Sequence, residues 1–211
     1  MFTDRTDAGR QLADLVEGHD VDADLVLAIP RGGLPLGRAV ADELSVPLDI
    51  VVARKMGAPH NPELAIGAVA ADGSAWINDE LVADLGVDEA YVEEKRREEA
   101  TNAREKAERY RGDRPEPDLA DKTVVVVDDG VATGATAIAC LRHVAAAGAE
   151  RVVLAVPVGA PDTVERLGSE ADEVLCVETP PHFQAVGQFY DDFGQVTDEE
   201  AMAYLEREDD A

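Results

Sequence analysis

The chain has 211 residues, 45% of them hydrophobic, which is enough for one α/β domain with a full core and short for two. Its uncharged apolar runs, such as Leu25 to Pro30 and Val124 to Val127, are of strand length and too short for a transmembrane helix, and the opening Met-Phe-Thr-Asp-Arg-Thr-Asp has no secretory pattern, so the cytoplasm is the expected compartment. With 19 Lys and Arg against 45 Asp and Glu, a formal net charge of −26, the field of the molecule repels phosphate backbones and excludes an ordinary nucleic-acid-binding role.

Apolar periodicity then switches repeatedly between helical and strand spacing, which predicts an α/β fold with a mainly parallel, doubly wound sheet flanked by helices. Leu12, Leu15 and Val16 give the stretch to Glu17 a helical face. Leu25 to Ile29 reads as a buried strand, Leu34 to Leu44 as a helix and Leu48 to Ala53 as a second strand, so the first unit is βαβ. A Gly/Pro-rich stretch from Gly57 to Pro62 precedes two short runs, Ala65 to Ala70 and Ala75 to Ile77, whose separation by Asp72-Gly73 predicts a hairpin outside the parallel core. Asp88 to Arg111 is the longest helical segment, with Asp88 as N-cap and Glu93/Arg97 and Glu105/Arg109 as i,i+4 pairs; its low apolar content predicts a solvated helix or part of a lid.

Gly112 to Asp121 ends that helix and leads into Thr123 to Val127, the strongest strand in the chain. A helix follows from about Gly134 to Ala147, closed by Gly148, with Ile138, Leu141 and Val144 on one side. Val152 to Val156 and Val174 to Val177 are the next strands, joined by a helix around Asp162 to Leu167, and Thr197 to Glu200 is a capping-box pattern for a terminal helix. There is no repeat or linker, so residues 1–211 read as one domain.

Acidic residues run from Asp4 to Asp210 and only four basic residues are Lys, a surface suited to high salt: at about 1 M the screening length falls to roughly 3 Å and self-repulsion becomes local. Cys140 and Cys176 lie in apolar segments and predict packing rather than a disulfide. His19, His60, His143 and His182 show no metal-ligand spacing.

The chemistry concentrates in Val124-Val-Val-Val-Asp128-Asp129-Gly130-Val131-Ala132-Thr133-Gly134-Ala135-Thr136. Two carboxylates fall at the carboxyl end of a buried strand, where open α/β sheets bind ligands. The small residues that follow bring backbone N–H groups, two hydroxyls and a helix N-terminus to one volume suited to a phosphate monoester. Phosphate in the loop beside two acids describes a sugar phosphate whose hydroxyls, or a hydrated Mg²⁺ bridging to them, meet the acids.

This run resembles the phosphoribosyl-diphosphate motif of type I phosphoribosyltransferases. The resemblance implies that Asp128 and Asp129 engage the ribose hydroxyls, with Mg²⁺ held indirectly, and that Ala132, Thr133, Gly134, Ala135 and Thr136 cradle the 5′-phosphate. A haloacid-dehalogenase reading fails, because that chemistry needs Asp-x-Asp-Gly-Thr. Pro30-Arg31-Gly32-Gly33 resembles the loop that grips diphosphate, where a non-standard peptide geometry is usual, and Arg54-Lys55 resembles the Arg-Lys pair of adenine-type enzymes; the alternatives are a plain βα turn and surface cations. Phe2-x-Asp-Arg, Arg54 to Glu63 and Phe183 to Tyr190 look like a group of uncharacterised predicted phosphoribosyltransferases, some fused to a hydrolase domain.

What this implies is Mg²⁺-dependent transfer of 5-phosphoribose from phosphoribosyl diphosphate to a nitrogenous base, purine-like by preference. Asp128, Asp129 and Lys55 are the expected catalytic residues, and Arg31, Gly32, Gly33 and Arg54 join the loop in binding the donor. Residues 57–73 are the lid candidate and 178–194 the base-binding hood, with Phe183 and Asp191 as base contacts, although those aromatics and Trp76 equally suit a core. Ala132 stands where hypoxanthine-guanine enzymes carry an acid, leaving Glu63 or His60 as candidates for any general base. A non-catalytic phosphoribosyl-diphosphate sensor, and transfer to a non-base amine or to water, are the competing readings. A homodimer through Ala65 to Ile77 is expected by analogy with the family.

Overall fold

The computed structural model describes residues 1–206. Helix α1 (Arg5–Gly18) starts at Asp4, whose side chain accepts from the Asp7 N–H, and buries Ala8, Leu12, Ala13 and Val16 along one stripe. Strand β1 (Leu25–Ala28), helix α2 (Gly33–Leu44) and strand β2 (Leu48–Ile50) complete the expected βαβ unit. Strands β6 (Thr123–Val127), β7 (Arg151–Val158) and β8 (Glu173–Glu178), with helices α5 (Ala135–Ala146) and α6 (Pro161–Leu167) between them, extend the sheet. All five strands are parallel, in the order β2-β1-β6-β7-β8.

Alternation along β6 explains why the run of valines is continuous. Val125 and Val127 pack with α1 and α2 residues such as Leu12 and Leu34 on one face, while Val124 and Val126 pack with Ile138 and Leu141 of α5 on the other. The terminal helix α7 (Asp198–Glu206) closes the first face through Ala201 and Leu205. Its capping box is formed, since Glu200 N–H donates to Thr197 Oγ1 and Thr197 N–H to Glu200 Oε2.

The chain departs from the sequence expectation after β2. The predicted strand Leu48 to Ala53 breaks at Ile50, and Ala53 opens a second, antiparallel sheet of β3 (Ala53–Ala58), β4 (Asn61–Ala70) and β5 (Ala75–Ile77). Arg54 and Lys55 therefore lie within β3, paired with Val69 and Ala68, rather than just beyond a strand. Residues 57–73 are largely strand: Ile66 to Ala70 are buried, while the tip at residues 59–64 and Asp72 of the next turn are exposed. A short helix α3 (Asp79–Asp84), which the sequence pattern did not signal, begins at Asn78.

The long helix α4 (Glu89–Arg111), expected as a solvated helix or part of a lid, also joins the core. Its buried stripe is made mostly of alanine: Ala100 covers the second sheet, and Ala103 and Ala107 join Tyr110 in the main core. Alanine on a close-packed face adds little to apolar content, so composition conceals the contact. At its end Arg111 pairs with the buried Asp49 at 2.9 Å and donates to the Ile50 carbonyl, locking α4 to β2. No described helix is long and apolar enough to cross a membrane.

These contacts predict that Ala103→Leu, at a fully buried position, destabilises the fold by about 1–3 kcal/mol through overpacking. Arg97→Ala, which removes an exposed i,i+4 pair with Glu93, changes stability by no more than about 0.5 kcal/mol. Urea unfolding of both variants in one buffer separates them.

Candidate active site

Strand β6 delivers Asp128 and Asp129 to the carboxyl edge of the sheet, but to different neighbours. Asp128 lines a cavity of about 160 Å³ with Lys55, Val186 and the loop and helix start from Gly130 to Ala137. Asp129 does not line it: its Oδ2 accepts from Arg5 Nε at 2.9 Å and Nη2 at 2.7 Å. Arg5 also donates to the Gly194 carbonyl and stacks 4.0 Å above the Phe193 ring, and Tyr190 Oη donates to the Asp129 carbonyl at 2.7 Å. The Arg5 and Asp129 side chains are only 13% and 15% exposed, so this is an interior ion pair rather than a screened surface contact.

Burial raises the Asp128 carboxyl well above the usual carboxylate range, and the neighbouring Asp129 charge adds to the effect. Burial raises Asp129 as well, while Arg5 pulls it back. Gly32 leaves the room this arrangement needs. A Cβ there would sit 1.9 Å from Asp129 Oδ2, and one on Gly33 would sit 2.6 Å from the Val127 carbonyl oxygen. The Pro30–Arg31 peptide preceding them is cis.

The loop after the acids turns its carbonyls toward α6. Its carbonyls are held by α6: Thr163 Oγ1 donates to Ala132 O at 2.7 Å, and Arg166, stacked over Trp76, donates to Thr133 O. Gly134 turns through φ +72° into α5. Among the described residues, no protein group accepts from the N–H groups of residues 132–136, which converge on the α5 N-terminus beside Asp128.

Lys55 joins this cavity to a larger one of about 700 Å³, beneath the β3–β4 turn and against α4, lined also by Pro30, Arg54, Lys95, Glu99, Lys106 and Thr136. Arg54 contacts Glu99 at 3.3 Å there. Arg31 lines neither cavity; its guanidinium lies 3.4 Å from Asp198, which also accepts from Arg109 and Tyr110. Of the expected base contacts, Phe183 packs on Phe189 with ring centroids 5.1 Å apart, and Asp191 is exposed; neither lines the cavities. Val186 is the hood residue that reaches Asp128's cavity. Glu63 lines the larger cavity and His60 sits at the exposed turn.

Arg5 and Lys106 carry no role in the sequence reading. Arg5 ends the segment Phe2-x-Asp-Arg, whose resemblance to related chains was its only signal, and Lys106 is one cation in a charge-laced helix. Trp76 serves the cradle indirectly through Arg166. Burial raises both thiols, Cys176 to about 11, in keeping with packing roles. Among the described residues no group of three or more His, Cys, Asp or Glu is placed to hold a metal. One cavity-facing carboxylate with a second beside it fits a hydrated Mg²⁺ that takes its other ligands from substrate and water.

The phosphoribosyl transferase domain model matches residues 6–193. Two Mycobacterium tuberculosis proteins, from strains CDC 1551 / Oshkosh and ATCC 25618 / H37Rv and provisionally named phosphoribosyl transferases, are each 45% identical over 207 residues, 98% of this chain. The chain spans 47% of each, about half their length. The crystal structure of TT1426 from Thermus thermophilus is 44% identical, with a TM-score of 0.81 over 97% of both chains.

A carboxyl raised in the folded state binds protons that the unfolded chain releases, so its burden on stability is absent at low pH and grows as pH rises through the folded value. Asp128→Asn therefore raises Tm at pH 7.5, and the gain shrinks as pH falls toward the ordinary carboxylate range. Thermal melts of the variant and the wild type across that window check the sign.

Proposed function

The chain belongs to the phosphoribosyl transferase domain family, and on that premise we propose that it transfers 5-phosphoribose from phosphoribosyl diphosphate to a nitrogenous base, purine-like by preference, releasing pyrophosphate. The observation that carries this reading is the single cavity in which unpaired loop amides, Asp128 and Lys55 meet. In this reading the 5′-phosphate takes the amides of residues 132–136 and the Thr133 and Thr136 hydroxyls. Asp128 accepts from the ribose hydroxyls, and Asp129 holds its own charge in place through Arg5.

The bond from C1 to the diphosphate oxygen breaks as a ring nitrogen of the acceptor bonds to C1 from the opposite face. Both electrons of the broken bond leave with pyrophosphate, and the ribosyl group passes through a cationic, oxocarbenium-like state. Lys55 lies between the two cavities, where it neutralises the leaving oxygens, and Arg54 lines the diphosphate side. Arg31 reaches that side by exchanging Asp198 for diphosphate. Asp128, with Asp129 beside it, would hold a hydrated Mg²⁺, which when bound would supply further charge stabilisation to the leaving group. The exposed turn around residues 59–64 is the part of the lid candidate free to close and exclude water, and it carries Glu63 and His60 for any proton transfer. Phe183 and Asp191 contact a base in this scheme only if the hood shifts toward Val186.

A sensor that binds phosphoribosyl diphosphate without turning it over is the second reading. Two placements favour it: Arg31 turned to Asp198, and the absence of Phe183 and Asp191 from the cavity walls.

The test is pyrophosphate release from phosphoribosyl diphosphate with Mg²⁺, across a panel of bases, in multi-molar KCl to suit the acidic surface. Transfer predicts release that one base stimulates and that falls at least 100-fold in Asp128→Ala/Asp129→Ala, on the order of the loss of one preorganised electrostatic contact or more. Tight donor binding with no base-stimulated release supports the sensor instead.

A further inference from the structure

The cations around the larger cavity are unequally partnered. Arg54 lies against Glu99, and Lys95 against Glu98 and Glu99. Lys55, already placed in both cavities, and Lys106 have no such partner among the described residues. The Lys106 ammonium donates to the Pro30 carbonyl at 3.2 Å and lies 5.4 Å from the Tyr110 ring. In a chain with 45 acidic residues for 19 basic ones, leaving a half-buried lysine without a carboxylate is a cost that a missing anion would remove. An ammonium has three donors, and the Pro30 carbonyl accounts for one.

Its position says which anion. Pro30 precedes the Arg31-Gly32-Gly33 turn, so Lys106 reaches from α4 to the mouth of that loop and shares the cavity with Lys55, Arg54 and Thr136. Burial and the neighbouring Arg54 and Arg31 charges lower its pKa, which marks a site already crowded with positive charge. Thr136, which lines both cavities, places the 5′-phosphate cradle on the other side of Lys55. The donor proposed above carries phosphates at both ends, matching two adjoining cavities that share Lys55 and Thr136.

We propose that Lys106 is a binding residue for the diphosphate end of phosphoribosyl diphosphate, reaching it from α4 outside the acidic motif and both phosphate loops. The inference rests on the donor proposed above. It makes α4 part of the substrate site, because the helix that carries Lys106 also covers the β3–β4 sheet through Ala100 and locks to β2 through Arg111.

Calorimetric titration of the whole chain with pyrophosphate, phosphoribosyl diphosphate and ribose 5-phosphate tests it, each in the presence of Mg²⁺. Lys106→Gln is expected to weaken pyrophosphate and phosphoribosyl diphosphate by about tenfold or more, the loss of one charged hydrogen bond. Lys106→Arg keeps them within a few-fold, and ribose 5-phosphate, which lacks the diphosphate, is unaffected by either change. A measurement on the wild type guards against a variant that does not fold: pyrophosphate protects Lys106 from acetic anhydride, read by mass spectrometry, and ribose 5-phosphate does not. If the wild type binds pyrophosphate and Lys106→Gln binds it equally, or if Lys106 is labelled equally with and without it, the role of Lys106 is overturned and the donor assignment stands. If the wild type binds neither diphosphate, the donor assignment falls and this inference with it.

Discussion

Two carboxylates side by side at the end of a buried strand repel each other and lose their water, and the architecture around them is arranged to tolerate that. One guanidinium, Arg5, neutralises Asp129 from the first residue of α1. To do so it must itself be held, by the Gly194 carbonyl and the Phe193 ring. Residues from both ends of the described chain thus close over the strand end, reinforced where Phe2 bridges to Tyr190 and Tyr190 reaches the Asp129 carbonyl. Gly32 follows from the same constraint, since any side chain there would occupy the carboxylate's place. Asp128, left without a cation of its own, is the group that faces the cavity.

Charge is distributed with the same economy. The sequence is dominated by acids, and several of its few basic side chains sit where elements are joined or at the cavities. Arg111 ties α4 to β2, Arg166 holds the Thr133 carbonyl, and Arg142 braces β5 by donating to the Ala75 carbonyl. Lys55 and Lys106 face cavities without a carboxylate partner among the described residues, and Arg54 retains an exposed head beside Glu99. A small positive recess in a negative molecule suits the diphosphate-bearing donor proposed above.

Most of the parallel sheet was legible because its strands are buried on both faces and read as unbroken apolar runs, Val124 to Val127 above all. The acidic pair and its loop were legible because strand, acids and small residues are contiguous. What the sequence concealed depends on contacts across the fold. Nothing local shows that β2 stops at Ile50 so that Ala53 can enter another sheet, nor that the alanines of α4 face a core. Arg5 lies 124 residues from the carboxylate it serves, so only the folded chain shows the pair. Asp128 and Asp129 are equivalent as neighbours in sequence, yet only Asp129 meets Arg5 and only Asp128 lines the cavity. Phe183 and Asp191 are candidates by residue type in a segment with little periodicity, and residue type does not encode their distance from the cavity walls.

The claim on which the rest turns is that the amides after Asp129 hold the 5′-phosphate of phosphoribosyl diphosphate. A crystal structure of the chain grown with that compound and Mg²⁺ tests it most directly. The account predicts the monophosphate within hydrogen-bond distance of the N–H groups of residues 132–136, the ribose hydroxyls against Asp128, and the diphosphate in the cavity lined by Lys55 and Lys106. A monophosphate lodged elsewhere, with that loop empty while the compound is bound, would contradict it.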